Sequence, residues 1–242
     1  MCVKPLDGWL SKVRTPRGKR SVVFDLNLGM HDRPVTIPCG RCRECLKRRK
    51  RAWALRCQHE ASLHIENTWL SLTYDGDSLP ENGSLRKKDL SDFLKRLRSH
   101  EQYDAEKCGR SERRFKFFGC GEYGGRVGRA HYHIVLFGYD FADKRPSVIR
   151  KGYQQFESEL LERIWDRGIC EIGEVSFDGL GYVAKYVAKT RKKEEEEWLK
   201  AQGMEPEFVV MSRGGRHGRG IGYEWWKQYG SELIQFDSCL VK

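Results

Sequence analysis

The chain has 242 residues, with 45 Lys and Arg against 34 Asp and Glu, giving a formal net charge of +11. The sequence contains no secretory leader and no apolar run long enough to span a bilayer, so a soluble protein in the cytoplasm of its cell is expected. The basic balance points to an anionic partner, with nucleic acid first. The nine cysteines are odd in number and lack a secretory context, which favours metal binding or free thiols over disulfides.

Residues 1–38 read as irregular, punctuated by Pro5, Gly8, Pro16, Gly18 and Pro34, with one short strand at 21–28. Cys39, Cys42 and Cys45 then form C-x-x-C-x-x-C, followed by the basic run Lys47 to Arg51. This spacing gathers three sulfurs at a turn, and a tetrahedral zinc site needs a fourth ligand. Cys2 is the first choice because it would tie the N-terminus to the turn, with Cys57 and His59 as rivals and three reduced thiols as the plain alternative. Zinc held by four thiolates would have a structural role, having no open position. A helix is expected over 46–65. Arg48, Arg49 and Arg51 would either contact phosphates or form a solvated face.

Residues 68–74 (TWLSLTY) are rich in β-formers and predict a strand. Leu90, Phe93, Leu94 and Leu97 lie at helical spacing. Residues 114–119 predict a strand that leads through Glu122 into the basic, Gly-rich loop GGRVGR, which carries Arg126 and Arg129. The apolar run Ile134 to Phe137, ending at Gly138, predicts a buried strand. Alternation places His131 and His133 on one face, and Tyr132, Ile134 and Leu136 on the other, toward a core. Two imidazoles one strand-step apart can share a metal ion; two packed or solvated histidines are the competing reading. A hairpin of these two strands would bring Glu122 close to His131. Further on, a helix is expected near 155–165, a strand over 170–177, and a helix over 181–189 capped by Asp178. The tail holds FVVMS, the loop RGGRHGRGIG with Arg213, and a helix containing Trp225 and Trp226.

In YVAKYVAK, Tyr182 and Tyr186 lie four apart and share a helix face, with Lys185 and Lys189 in an adjacent row. An amphipathic helix with two interfacial tyrosines would look the same. Taken with the histidines, the pieces describe one reaction. A tyrosine hydroxyl attacks a phosphodiester polarised by a metal ion held by two histidines and a carboxylate. A neighbouring lysine steadies the charge. The products are a 5′-phosphotyrosine link and a free 3′-hydroxyl, and the second tyrosine can attack a second phosphate.

H-Y-H and Y-V-A-K-Y-V-A-K resemble the two motifs of the HUH single-strand endonucleases. The arrangement is most similar to the rolling-circle replication initiators of microviruses, within these to the gokushovirus group. PCGRCRECLKRR, WLSLTY, CGEYG and MSR…GIGYEW carry the resemblance over most of the chain, in the family's order. Ala130 and the proline-free loop before Gly220-Ile221-Gly222 depart from it.

The resemblance implies an α+β fold of the RNA-recognition type, with an antiparallel sheet of about five strands and flanking helices. It implies His131, His133 and Glu122 as metal ligands and Tyr182 and Tyr186 as alternating nucleophiles. Mg2+ or Mn2+ would occupy that site and Zn2+ the cysteine site. The partner would be a single-stranded phage DNA origin, with host helicase and polymerase following and no membrane, in the cytoplasm of the bacterial host. Three segments are expected: 1–66, Cys-rich and basic; 67–190, the endonuclease core; and 191–242, a charged linker, loop and helix. Two other classes compete. A non-catalytic single-strand-binding sheet could stack bases on Phe115, Phe117 and Trp69. A zinc hydrolase could use the H-x-H pair, though the chain lacks H-E-x-x-H.

Overall fold

The structure is a computed structural model that describes residues 2–124, 128–150, 152–188, 193–213 and 220–236. The chain divides into two compact units, Met1–Lys50 and Arg51–Lys242.

The first unit is not irregular. Strands β1 (Leu6–Arg14), β2 (Arg20–Val23) and β3 (Gly29–Ile37) form an antiparallel sheet in the order β2-β1-β3. Proline punctuation hid β3, yet Pro34 is compatible with an edge strand, where a missing N–H breaks no inner ladder. Apolar alternation was also weak, since β3 is mostly exposed. Helix α1 (Arg43–Ala61) begins in this unit and runs across the division.

The second unit is built on a seven-stranded sheet. Its strands are β4 (Asn67–Thr73), β5 (Lys116–Gly124), β6 (Arg129–Phe137), β7 (Arg145–Arg150), β8 (Tyr153–Glu157), β9 (Cys170–Gly173) and β10 (Phe208–Met211). They run in the order β10-β5-β6-β4-β9-β8-β7, antiparallel at every pairing. The fold is α+β as expected, but the sheet is wider than about five strands. The surplus lies at the edge: β7 is exposed at all six positions, so it carries no apolar alternation to mark it in sequence. The helix expected near 155–165 is split for a related reason. Glu157 ends β8, and α3 (Glu159–Trp165) starts after Ser158, whose hydroxyl accepts the Leu161 N–H at 3.0 Å.

The sheet is covered on both faces. On one, Leu70, Leu72, Tyr132, Ile134 and Leu136 pack against α2 (Lys87–Cys108) and α3 through Leu90, Phe93, Leu97, Leu161 and Trp165. On the other, Phe118, Cys120, Val135 and Phe137 pack with Cys57 of α1, Leu180 and Val183 of α4 (Phe177–Ala188), and Ile221. Burial on both faces explains why 134–137 is a continuous apolar run. Helices α5 (Lys193–Ala201) and α6 (Tyr223–Phe236) complete the described unit. Among the described residues no helix is long and apolar enough to cross a membrane.

Glu101 of α2 is 1% exposed and accepts from Arg110 and from the Arg113 backbone and guanidinium. Burial alone would raise its carboxyl, but these donors outweigh it and hold the group at about 2. A depressed folded-state value adds stability that is present above the usual carboxylate range and is lost as pH falls toward 2. Glu101→Gln should therefore lower the urea midpoint at pH 7 by on the order of 2 kcal/mol. The gap to the wild type should shrink steadily as both are titrated from pH 5 to pH 2, and a constant gap would contradict this account.

Candidate active site

The site is assembled by three elements. In the β5–β6 hairpin, Glu122 pairs directly with His131 and Cys120 with His133. Alternation puts Glu122, His131 and His133 on the sheet face that α4 covers. Ser176 starts α4, its hydroxyl accepting the Gly179 N–H at 3.1 Å, so Asp178 falls within the first turn and does not cap. Leu180, Val183 and Ala184 are buried and seat α4 on the sheet, which turns Tyr182 and Tyr186 toward the histidines.

One oxygen organises the centre. Glu122 Oε1 lies 2.8 Å from His131 Nε2 and 2.9 Å from His133 Nε2, and it accepts the Tyr182 hydroxyl at 2.6 Å. Tyr186 donates to the Tyr182 oxygen at 3.4 Å. Lys185 Nζ sits 3.6 Å from the Tyr182 ring centre and 4.7 Å from that of Tyr186, in cation–π range of both. Trp69 of β4 stacks on His133 with ring centres 4.9 Å apart.

The electrostatics follow from burial and that shared oxygen. Burial would raise the Glu122 carboxyl, but bonds from His131, His133 and Tyr182 hold it well below the usual carboxylate range. Burial, reinforced by the Glu122 charge, pushes the Tyr182 phenol above its ordinary value. Burial lowers His133, whereas for His131 the Glu122 bond and the Arg129 carbonyl outweigh burial and raise it.

The hydrogen-bond chemistry tests whether a cation fits. His131 Nδ1 lies 2.9 Å from the Arg129 carbonyl, which can only accept, so this nitrogen carries a proton. In the neutral ring Nε2 is then a lone pair facing a carboxylate oxygen. A proton or a metal ion between them resolves the conflict. An imidazole that donates its far nitrogen to a carbonyl is the usual arrangement of a metal-binding histidine. The donor atoms of Glu122, His131 and His133 lie within 4.8 Å of one another, and the set fits a divalent cation.

The first unit holds a second donor cluster. The sulfurs of Cys2, Cys39, Cys42 and Cys45 also lie within 4.8 Å of one another. Cys42 and Cys2 Sγ are 3.8 Å apart and Cys39 and Cys45 Sγ 4.0 Å, close to the separation of about 3.8 Å that a tetrahedral zinc–thiolate site imposes. Backbone N–H groups of Val3 and Cys45 pull the Cys42 thiol down to about 6. The rivals lie elsewhere: Cys57 is buried in the apolar cluster, and the His59 ring stacks on Trp225 at 3.6 Å.

Arg48, Arg49, Arg51, Arg129 and Arg213 are exposed, while Arg126 and Lys189 fall outside the described residues. Phe115 is 7% exposed, and Phe117 packs against the same core on the sheet face away from the histidines. Arg98 also lies over both rings, so they do not form an open stacking platform. Sequence reasoning missed Gly124. A Cβ there would stand 2.7 Å from His131 Cε1, so the bare position leaves room for the ring. Its place at the end of CGEYG was the available signal.

The family model for the replication-associated protein ORF2 matches residues 67–191, over half of the chain and including every side chain of this centre. The chain belongs to this family. Among its relatives, replication-associated protein ORF2 of Spiroplasma virus 4 is 29% identical over 85% of the chain. Replication-associated protein VP4 of Bdellovibrio phage phiMH2K is 33% identical, and ORF4 of Chlamydia phage 1 is 34% identical, each over 63% of the chain. The chain spans 62%, 48% and 38% of the lengths of these three relatives, respectively. No solved structure matches it.

Gly124→Ala should displace the His131 ring without unfolding the sheet. The His131 ring resonances should move and divalent-cation affinity should fall about tenfold, while the melting midpoint stays within about 1 kcal/mol of wild type. Unchanged resonances and affinity would show that the bare position does not serve the ring.

Proposed function

We propose that this family member is a phage replication initiator of the HUH type, which nicks single-stranded DNA at an origin and later rejoins it. The observation that carries this reading is the 2.6 Å bond from the Tyr182 hydroxyl to the carboxylate oxygen both histidines share. It joins, in one place, the groups that a tyrosine transesterification needs.

In this reading Tyr182 Oη attacks the phosphorus of a bound strand. The new bond is tyrosine oxygen to phosphorus, and the broken one is phosphorus to O3′, which leaves as a 3′-hydroxyl after taking up a proton. The strand's 5′ phosphate stays on the protein, and no energy source is needed because one ester replaces another. As it stands, Tyr182 is protonated and held by Glu122, so it must be released from that bond as the phosphate enters. A divalent cation, Mg2+ or Mn2+, held by Glu122, His131 and His133 would neutralise the carboxylate and polarise the phosphodiester. Lys185, over both rings, steadies negative charge as it develops on phenolate and phosphate oxygens. Lys189, four residues on, would extend that row. Tyr186, one hydroxyl away, is the second nucleophile for the rejoining step.

Residues 1–50 contain thirteen Lys and Arg against four Asp and Glu, so most of the net charge of +11 sits there. Together with Arg51, Arg126, Arg129 and Arg213, the exposed Arg48 and Arg49 would hold DNA phosphates. Structural Zn2+ on Cys2, Cys39, Cys42 and Cys45 would brace that unit. The free 3′-hydroxyl suits extension by a host polymerase with a host helicase, in the cytoplasm of the bacterial host.

Incubation with pooled single-stranded oligonucleotides and Mn2+ should yield a protein–DNA adduct that survives a denaturing gel. Tyr182→Phe combined with Tyr186→Phe should abolish it, and an adduct persisting in that double variant would overturn the nucleophile assignment. Native mass spectrometry should find one zinc lost on combining Cys42→Ser with Cys45→Ser, with a lower melting temperature. Retention of all bound zinc would exclude the cysteine cluster as its site.

A further inference from the structure

A cavity of ≈ 440 Å³ opens directly beside the reacting groups, and nothing in the transesterification uses it. His133 and Tyr182 form part of its wall, so whatever fills it lies against the nucleophile. Trp69 supplies a flat aromatic surface there. The space beside the indole exists because its strand partner is Gly173, where a Cβ would stand 3.2 Å from Trp69 Cε3.

The lining is unusual for a chain of net charge +11. No Lys or Arg lines the cavity, and its charged groups are Glu174 and Asp178. Both are exposed and make no hydrogen bond or ion pair among the described residues. Gln155 lies on the same rim. Two carboxylates repel a phosphate, so the DNA backbone cannot be the occupant. They accept hydrogen bonds from an uncharged ligand rich in N–H donors. The inner wall adds two unsatisfied atoms. Trp69 Nε1–H and His133 Nδ1 are buried without a partner, and His133 is only 8% exposed. Buried polar atoms are rarely left so. An occupant that is flat and carries both an amino donor and a ring acceptor answers all of these features.

Building on the reading above, we propose that this cavity is the subsite for one unpaired nucleobase flanking the scissile phosphate, and that it selects adenine or cytosine over thymine. Adenine and cytosine present an amino group beside a ring nitrogen on the same edge. Thymine presents a carbonyl oxygen where they present the amino group, facing carboxylates that repel it. The base would enter edge-first toward the rim and lie along Trp69, a contact open to any base. Discrimination would therefore come from Glu174 and Asp178.

Selection of bound strands from a randomised single-stranded pool, read by sequencing, tests this without requiring cleavage. The full chain should enrich adenine or cytosine about tenfold over thymine at one position. Glu174→Gln combined with Asp178→Asn should reduce that to within about twofold, leave preferences at other positions intact and keep overall affinity equal or higher. Both side chains are exposed, so the variant should fold, which its melting curve would show. A preference for thymine, no preference at any position, or a preference that survives the double variant would each overturn the subsite. The two readings fail separately: an adduct without base preference removes the subsite alone, and the expected preference without an adduct removes the cleavage reading alone.

Discussion

The centre depends on a single buried carboxylate oxygen. Glu122 is 4% exposed, and an isolated charge there would be strongly disfavoured. It is tolerated because three donors from three segments converge on Oε1. That convergence fixes the ring positions of His131 and His133 and the height of Tyr182 above the sheet. It also leaves the site in tension. The charge that gathers the groups makes the tyrosine harder to ionise, and it faces a histidine nitrogen whose neutral form has no proton to offer. A bound cation relieves both conditions at once. The site is therefore arranged for an ion, and the hydroxyl is stored in a protonated, unreactive state until the charge balance changes.

The sheet makes this arrangement rigid. Strand β6 lies between β5 and β4, and its two faces do different work. One packs Tyr132, Ile134 and Leu136 against α2 and α3, and the Tyr132 hydroxyl is 2.6 Å from that of Tyr74, which donates to the buried Asp89. The other presents the histidines to α4. A strand held on both faces cannot slip by one residue without exposing its core set and burying the histidines among apolar side chains. Register and catalytic geometry are thus secured by the same packing.

Charge is distributed unevenly along the chain. The first unit concentrates basic residues beside four clustered sulfurs, whereas the cavity next to Tyr182 is lined by carboxylates. Backbone phosphates and bases make opposite electrostatic demands. A protein that binds a single strand and reads one of its bases needs both kinds of surface.

Local pattern determined much of this. Alternation in β6 placed His131 and His133 on one face, the four-residue repeat placed Tyr182 and Tyr186 on one helix side, and a hairpin brought Glu122 to His131. Each is a short-range consequence of strand or helix period. The cysteine spacing likewise announced a cluster, though only the fold separated Cys2 from Cys57 and His59. Tertiary structure decided what period cannot encode. The edge strands β7 and β8 and the N-terminal sheet were hidden because exposed edges carry no apolar rhythm and because prolines masked β3. Phe115 and Phe117, plausible base-stackers by composition, are turned into the core by their place on β5 and the turn before it. The approach of α4 to the sheet, the room Gly124 leaves for His131 and the cavity beside Trp69 all join residues distant in sequence. Their positions follow from packing between elements, which no local spacing records.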